Sequence, residues 1–206
     1  MDTGLVSSAL PKSREMVLIF VALKAESHPI RARLSNREAL HVAHLTGDQG
    51  QIAGVPVALI HTGMGIRRSR ISSGRVMDSL SQVNLVLIAG VAGALRDDLA
   101  IGQVVVGERL LLYADNDFQP EQVIHLHTQW IGRFTTSLVA SRISYAIGPM
   151  MTSRLPLLTR ADKQRAFAQS GGAISVDMES ATIAMEAERR GLPFACMRTI
   201  LDRAGE

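Results

Sequence analysis

Three carboxylates stand where an α/β chain brings chemistry together: Glu26, Glu179 and Asp202. Asp202 follows the apolar run 194–201, so it emerges at a strand end. A carboxyl group partly withdrawn from water there holds its proton more tightly, and it can act as general acid toward a leaving group that departs as a weak anion. Glu179 lies in Val176-Asp177-Met178-Glu179-Ser180, in the first turn of an expected helix. It is either a carboxylate that accepts paired hydrogen bonds from a vicinal diol such as ribose, or one that only complements the helix dipole. Glu26 has a similar choice. It sits just past the first strand's C-terminal end, where open α/β sheets bind ligands, or it serves the following helix as a first-turn acid.

These positions depend on the elements around them. Residues 16–23 (MVLIFVAL) are continuously apolar, as in a strand buried on both faces of a mainly parallel sheet. Residues 24–34 read as a helix, with Pro29 tolerable only in the opening turn. Residues 41–60, broken by Gly47, Gly50 and Gly54, read as an antiparallel meander. It runs into His61-Thr62-Gly63-Met64-Gly65 and a helix over 66–80. Glycine ahead of a helix lets backbone N–H groups approach an anion. Gly63 and Gly65 lack the spacing of a dinucleotide fingerprint or a P-loop, and a tight strand-to-helix turn explains them better. Arg67, Arg68 and Arg70 either recruit a phosphate or solvate the helix. A second buried strand, 84–89, leads into Gly90-Val91-Ala92-Gly93-Ala94, small residues that let backbone lie against a ligand or a helix.

Residues 101–106 read as a turn and strand, and 113–129 as a polar loop. That loop carries a His125-x-His127 pair for which no third metal ligand is evident. A helix over 130–141 and a strand over 143–147 precede a loop, 148–153, whose Met150 and Met151 are pocket walls or core filler. Thr159 is the expected N-cap of a helix through 168, which Gly171-Gly172 ends. Asp177 is the expected N-cap of a helix over 178–190. That helix would turn Met178, Ala181, Ala184 and Met185 inward and Glu186, Glu188, Arg189 and Arg190 to solvent. The alternation predicts a single three-layer α/β/α sandwich over 16–206 with a mixed, mainly parallel central sheet, preceded by a flexible tail, 1–15.

Composition narrows the function. The 206 residues are 47% hydrophobic, enough for one sizeable core. Lysine and arginine number 22 against 19 acidic residues, a formal charge of +3, which is no basic stripe and does not point to nucleic acid. The single Cys196 excludes an intramolecular disulfide and a cysteine metal cluster, and fits a cytoplasmic protein. The longest apolar run, about 85–95, is too short and glycine-rich to span a bilayer.

Val176–Ser180 in the sequence VDMES, then Gly191-Leu192-Pro193-Phe194 and Arg198-Thr199-Ile200-Leu201-Asp202, resemble the nucleoside phosphorylase and nucleosidase superfamily. Ala22-Leu23-Lys24-Ala25-Glu26, Thr62-Gly63-Met64-Gly65 and Gly90-Val91-Ala92-Gly93 extend the likeness upstream, in order, over nearly the whole chain from Met16. The resemblance implies cleavage of an N-ribosidic bond through a ribosyl cation-like transition state. Glu179 would bind the 2′- and 3′-hydroxyls with Met178 against the sugar, and Asp202 would hold or donate a proton at purine N7. Glu26 would orient and deprotonate water, while Gly63, Gly65, Gly90, Val91 and Ala92 would line the substrate. The substrate would be a purine (adenine) nucleoside and the assembly a homo-oligomer. No metal or organic cofactor is implied; inorganic phosphate enters only as co-substrate in the alternative, a phosphorylase, and a silent nucleoside binder is a further alternative.

Departures from the pattern are Val91 and Leu201, where relatives often have serine, and the absence of a further helix after Asp202. Within the superfamily the signature is most similar to the hopanoid-associated branch, which implies a 5′-substituted adenosine such as adenosylhopane. Leu155, Leu157, Leu158, Met150 and Met151 are the candidates for its apolar entrance.

Overall fold

The computed structural model describes residues 16–113 and 121–205. The expected tail at 1–15 lies outside the described residues, as does the middle of the polar loop. In chain order the elements are β1 (Met16–Val21), α1 (Lys24–Arg31), β2 (Ser35–Val42), β3 (Leu45–Ile52), β4 (Val55–His61), α2 (Ile66–Ser79), β5 (Val83–Ile88), β6 (Val91–Ala94), β7 (Val104–Tyr113) and β8 (Gln122–His125). There follow α3 (Thr128–Ala140), β9 (Tyr145–Ser153), α4 (Arg160–Gln169), β10 (Ser175–Asp177), α5 (Ser180–Glu188) and β11 (Phe194–Asp202).

β1 is apolar throughout because both its faces are covered. Leu18 and Phe20 pack with Val76 and Met77 of α2 and with Ala181, Ile183 and Ala184 of α5. Ile19 and Val21 point the other way, into a cluster with Ile30 of α1 and Leu34. The sheet is thus sandwiched between helices, the three-layer α/β/α arrangement with a mixed sheet that strand–helix alternation predicts. Its strand order is β2-β3-β4-β1-β5-β11-β6-β10-β9-β7-β8. β1 runs parallel to β4 and β5, whereas β2, β3 and β4 form the expected antiparallel meander.

β11 joins the two halves. Its first residues, Phe194–Cys196, pair parallel with β5; Met197–Thr199 pair antiparallel with β7; and Thr199–Asp202 pair parallel with β6. The β11–β7 pairing closes β11, β6, β10, β9 and β7 into a ring. Asp202 therefore ends the strand where the open sheet meets that ring.

Several expected boundaries move. Beyond Gly90 the small residues expected to lie against a ligand or a helix form a strand: Val91–Ala94 is β6, held between β11 and β10. Its small side chains reflect crowding between two strands rather than irregular backbone. Residues 148–153 likewise belong to β9, paired with β7 and β10. Met150 and Met151 are consequently core, with almost no exposed surface, and do not line an entrance. Pro29 is the sixth residue of α1, not in its opening turn; the helix ends two residues later, so few backbone bonds depend on the missing N–H. α5 starts at Ser180, two residues later than expected, with Glu179 in the N-cap position. Asp177 still supplies the cap from outside, its Oδ1 accepting from the N–H groups of Glu179 and Ser180 at 3.2 and 3.1 Å. Thr159 caps α4 as expected, accepting from Asp162 N at 3.1 Å.

Glu186 is not in solvent either. It is buried between α2 and α5, where Arg70, Arg189 and Arg190 surround it. That cluster ties the two helices covering one face of the sheet.

Candidate active site

Glu26, Glu179 and Asp202 converge on one cavity of about 450 Å³, which Met178, Val91, Ala92, Gly93, Lys163, Leu157, Leu158 and Leu201 also line. Cavities of this size hold drug-sized and nucleoside-sized ligands. Each carboxylate is held differently, and the difference follows from its element.

Glu26 lies in the first turn of α1, where it caps the helix and also lines the cavity. Its Oε2 accepts from Leu23 N at 2.7 Å, capping the helix. Its Oε1 reaches across to β6 and accepts from Val91 N at 3.0 Å. A carboxylate offers about four acceptor sites, so both oxygens retain lone pairs toward the cavity.

Glu179 is buried at the start of α5, and its Oε1 accepts from Gly65 N at 2.8 Å. Gly63 and Gly65 thus form the turn between β4 and α2, and neither lines the cavity. Gly65 acts through its N–H, which aims the glutamate. Burial, followed by the negative charge of Asp177, pushes the Glu179 carboxyl up to about 7, against the opposing pull of Arg198 and the Gly65 N–H.

Behind the glutamates lies a residue that sequence reasoning quoted without a role. Arg198, on β11, is 1% exposed at its side chain. It pairs with Asp177 Oδ2 at 2.9 Å and faces Glu179 Oε2 at 3.8 Å and Glu26 Oε1 at 4.0 Å. It also donates to Ser180 Oγ at 2.9 Å and to the Ala89 carbonyl at 3.1 Å. Burial alone would weaken its hold on its proton; the carboxylates outweigh that and hold it more firmly protonated than usual. Asp177 is further fixed by Thr152 Oγ1 at 2.7 Å and by Ser180 Oγ. Three carboxylates share this one guanidinium, so the cluster carries excess negative charge facing the cavity.

Gly90 backs this cluster without lining the cavity. Its φ is +139°, and a Cβ there would stand 2.4 Å from Arg198 Nη1 and 2.6 Å from Glu26 Oε1. Gly90→Ala is therefore expected to push Glu26 and Arg198 apart and to lower kcat/KM by about 100-fold, the scale of a misplacement near 1 Å. Unchanged steady-state kinetics in a folded Gly90→Ala protein would show that the Glu26–Arg198 spacing does not matter.

Asp202 stands opposite Gly93 in the β11–β6 ladder, just after a register irregularity. Its side chain is 40% exposed and forms an ion pair with Lys163, so it is not the carboxyl withdrawn from water that its place at a strand end suggests. Lys163 is a second residue that sequence reasoning missed. Leu201, beside it, is largely exposed at the cavity rim together with Met64 and Leu158. Cys196 plays no nucleophilic part: it is fully buried, and burial pushes its thiol up to about 11.

Arg67 and Arg68 line a separate cavity of about 800 Å³ with Arg154, sharing only Met64 with the first. Arg70 instead pairs with Glu186. Among the described residues no group of three or more His, Cys, Asp or Glu gathers to hold a metal ion, and no helix is long and apolar enough to cross a membrane.

Known proteins are similar to this chain in sequence and in shape. The model of the phosphorylase superfamily matches residues 17–206. A 5′-methylthioadenosine/S-adenosylhomocysteine nucleosidase of Tolumonas auensis is 24% identical over 199 residues, covering 91% of this chain and 86% of the relative. Among solved structures, the 5′-methylthioadenosine/S-adenosylhomocysteine nucleosidase of Helicobacter pylori with butyl-thio-DADMe-Immucillin-A superposes with a TM-score of 0.83 at 21% identity, covering 94% of this chain and 87% of the other. A futalosine hydrolase mutant of the same organism gives a TM-score of 0.83, also at 21% identity, over 93% and 87% of the two chains.

Proposed function

This chain belongs to the phosphorylase superfamily, and from that premise we propose that it is a purine ribosidase, cleaving the bond between ribose C1′ and adenine N9 with water. The convergence of Glu26, Glu179 and Asp202 on one nucleoside-sized cavity carries this reading. Glu179 accepts hydrogen bonds from the ribose 2′- and 3′-hydroxyls, and Met178 packs against the sugar. As the C1′–N9 bond breaks, its electron pair moves into the purine and Asp202 passes a proton to N7. Water, losing its proton to Glu26, forms the new bond to C1′. The positive charge that develops on the sugar faces a cluster of three carboxylates balanced by one arginine, which favours the transition state over the neutral substrate.

The same charge balance supports hydrolysis over phosphorolysis. A phosphate at C1′ would approach Glu26 and Glu179 with Arg198 already committed to carboxylates. Val91 offers its N–H to Glu26 and no hydroxyl to phosphate. Relatives named as nucleosidases point the same way. No organic cofactor enters this chemistry.

Exposed Met64, Leu158 and Leu201 at the cavity rim, with Leu157 inside it, support an apolar 5′ substituent, of which adenosylhopane is an extreme case. Leu155 is also exposed close by in sequence, whereas Met150 and Met151 lie in the core. The exposed Met64 and Ile71 support a homo-oligomer, and the buried free Cys196 fits a cytoplasmic enzyme.

The test is adenine release from methylthioadenosine, S-adenosylhomocysteine and adenosine, with and without phosphate. Release at equal rates without phosphate is expected. Strict dependence on phosphate would make the protein a phosphorylase, and binding with no release would make it a silent nucleoside binder.

The raised Glu179 carboxyl makes a further prediction. Below about pH 7 it is largely protonated in the free protein and so less able to accept two diol hydrogen bonds. Nucleoside affinity should therefore be about tenfold weaker at pH 6 than at pH 8, through the smaller competent fraction. Stability runs oppositely. A carboxyl held above its unfolded value of 4.5 stabilises the fold fully below that pH, and this contribution is lost as pH rises through about 7. Nucleoside binding measured by calorimetry across this range checks the first claim; flat affinity would contradict it.

A further inference from the structure

Lys163 is the fourth residue of α4 and is 2% exposed, although α4 is otherwise a polar helix with few buried residues. A fully buried ammonium is costly unless it is paired and hydrogen-bonded. Here its Nζ meets Asp202 Oδ2 and donates to the Arg203 carbonyl at 2.6 Å. Both partners lie at the end of β11, where the ladder has just slipped between Ile200 and Asp202, so regular strand pairing does not fix the Asp202 side chain. Opposite it, Gly93 offers no side chain to hold it: a Cβ there would already stand 3.2 Å from Asp202 Oδ1. The Thr159 cap anchors the start of α4 and with it the stem of Lys163. Lys163 also lines the cavity.

We propose that Lys163 is a positioning residue for proton delivery to the leaving base. It aims the Asp202 carboxyl into the cavity and pairs with the carboxylate left behind when the proton has gone to purine N7. This rests on the reading of Asp202 as proton donor. Asp202, ion-paired with Lys163 in the resting protein, takes up a proton from solvent with the substrate; the C1′–N9 electron pair then goes to the purine, that proton goes from Asp202 to N7, and the carboxylate returns to its pairing with the ammonium. The attraction is thus larger after transfer than before, which is the condition for acting on kcat rather than on KM.

Two substrates separate this role from a structural one. Adenosine needs a proton on its leaving group, whereas 4-nitrophenyl β-D-ribofuranoside releases a stable phenolate that needs none. Lys163→Met should lower kcat for adenosine by about 10- to 100-fold, less than the loss of the general acid itself, with KM changed less than about twofold. The loss on the nitrophenyl riboside should stay below about threefold, and Lys163→Arg should recover most of the adenosine rate. The ratio of the two rates on one preparation is independent of how much protein is folded, so a destabilised variant still reports. Equal losses on both substrates, or no loss on adenosine, would overturn the proposal. Wild-type protein that releases neither leaving group would refute the ribosidase reading itself, and Asp202→Asn with full adenosine activity would refute the donor assignment on which Lys163 depends.

Discussion

Asp202→Asn is expected to lower kcat for adenine release by about 100- to 10,000-fold, the usual range for loss of a positioned general acid, while the protein stays folded. The asparagine retains an oxygen where Lys163 now finds its acceptor, so the buried ammonium keeps a partner and the Arg203 carbonyl remains. It has no proton to give. The variant should still bind nucleoside, because Glu179 and Met178, the proposed sugar contacts in the same cavity, are unchanged. Steady-state kinetics with a thermal melt checks this: a folded variant turning over adenosine at the wild-type rate would remove Asp202 from the chemistry. Asp202→Ala should be less stable than Asp202→Asn, since it removes the acceptor and leaves Lys163 only a carbonyl.

The second large effect belongs to Arg198→Met. This substitution leaves Asp177, Glu179 and Glu26 without the buried cation they share. Breaking one side of a buried ion pair costs about 3–5 kcal/mol, which for a domain of this size lowers Tm by roughly 6–20 °C. Activity should fall with it, because the carboxylates repel one another and Glu26 loses its orientation. The loss has a physical signature. Adding Asp177→Asn to Arg198→Met removes one uncompensated charge and should recover part of the lost Tm, whereas Asp177→Asn alone should destabilise. If the two substitutions simply add, the guanidinium is not what balances these acids.

Much of this site was legible in the chain because its parts sit at boundaries that local physics marks. The apolar run before Asp202 makes a strand, and a carboxylate at its end has nowhere to be except a sheet edge or a cleft. Asp177 has the chemistry of a helix cap, and it does cap α5, although from two residues further out than expected because its carboxylate reaches past Met178. Glu26 is a helix-start acid and a cavity acid at once, so choosing between those readings was unnecessary.

What the chain did not disclose depends on partners distant in sequence. Arg198 looks like any strand arginine until β11 brings it within 4.0 Å of Glu26, which comes from the other end of the protein. Lys163 sits in a polar helix with no apolar stripe to mark its buried side, and only the end of β11 identifies that side. β6 and the second half of β9, residues 148–153, were missed for a related reason. Val91–Ala94 and the Gly-Pro-Met stretch of Tyr145–Ser153 lack the alternating β-branched pattern of an independent strand, and they become strands because neighbours on both sides supply their hydrogen bonds. Gly90 had a detectable signal, glycine at a strand exit, but its purpose follows only from the Glu26 and Arg198 atoms that occupy the space of its missing Cβ.

The central claim is that Glu26, Glu179 and Asp202 act on one bound nucleoside, and a crystal structure with a non-hydrolysable adenosine analogue tests it most directly. The expected complex has Glu179 within hydrogen-bond reach, roughly 2.6–3.2 Å, of both the 2′- and 3′-hydroxyls, with Asp202 at the same distance from the atom replacing or equivalent to purine N7. Glu26 should face C1′ with a water between them. An analogue seated elsewhere, in the Arg67–Arg68–Arg154 cavity for example, or seated with its base away from Asp202, would contradict the account.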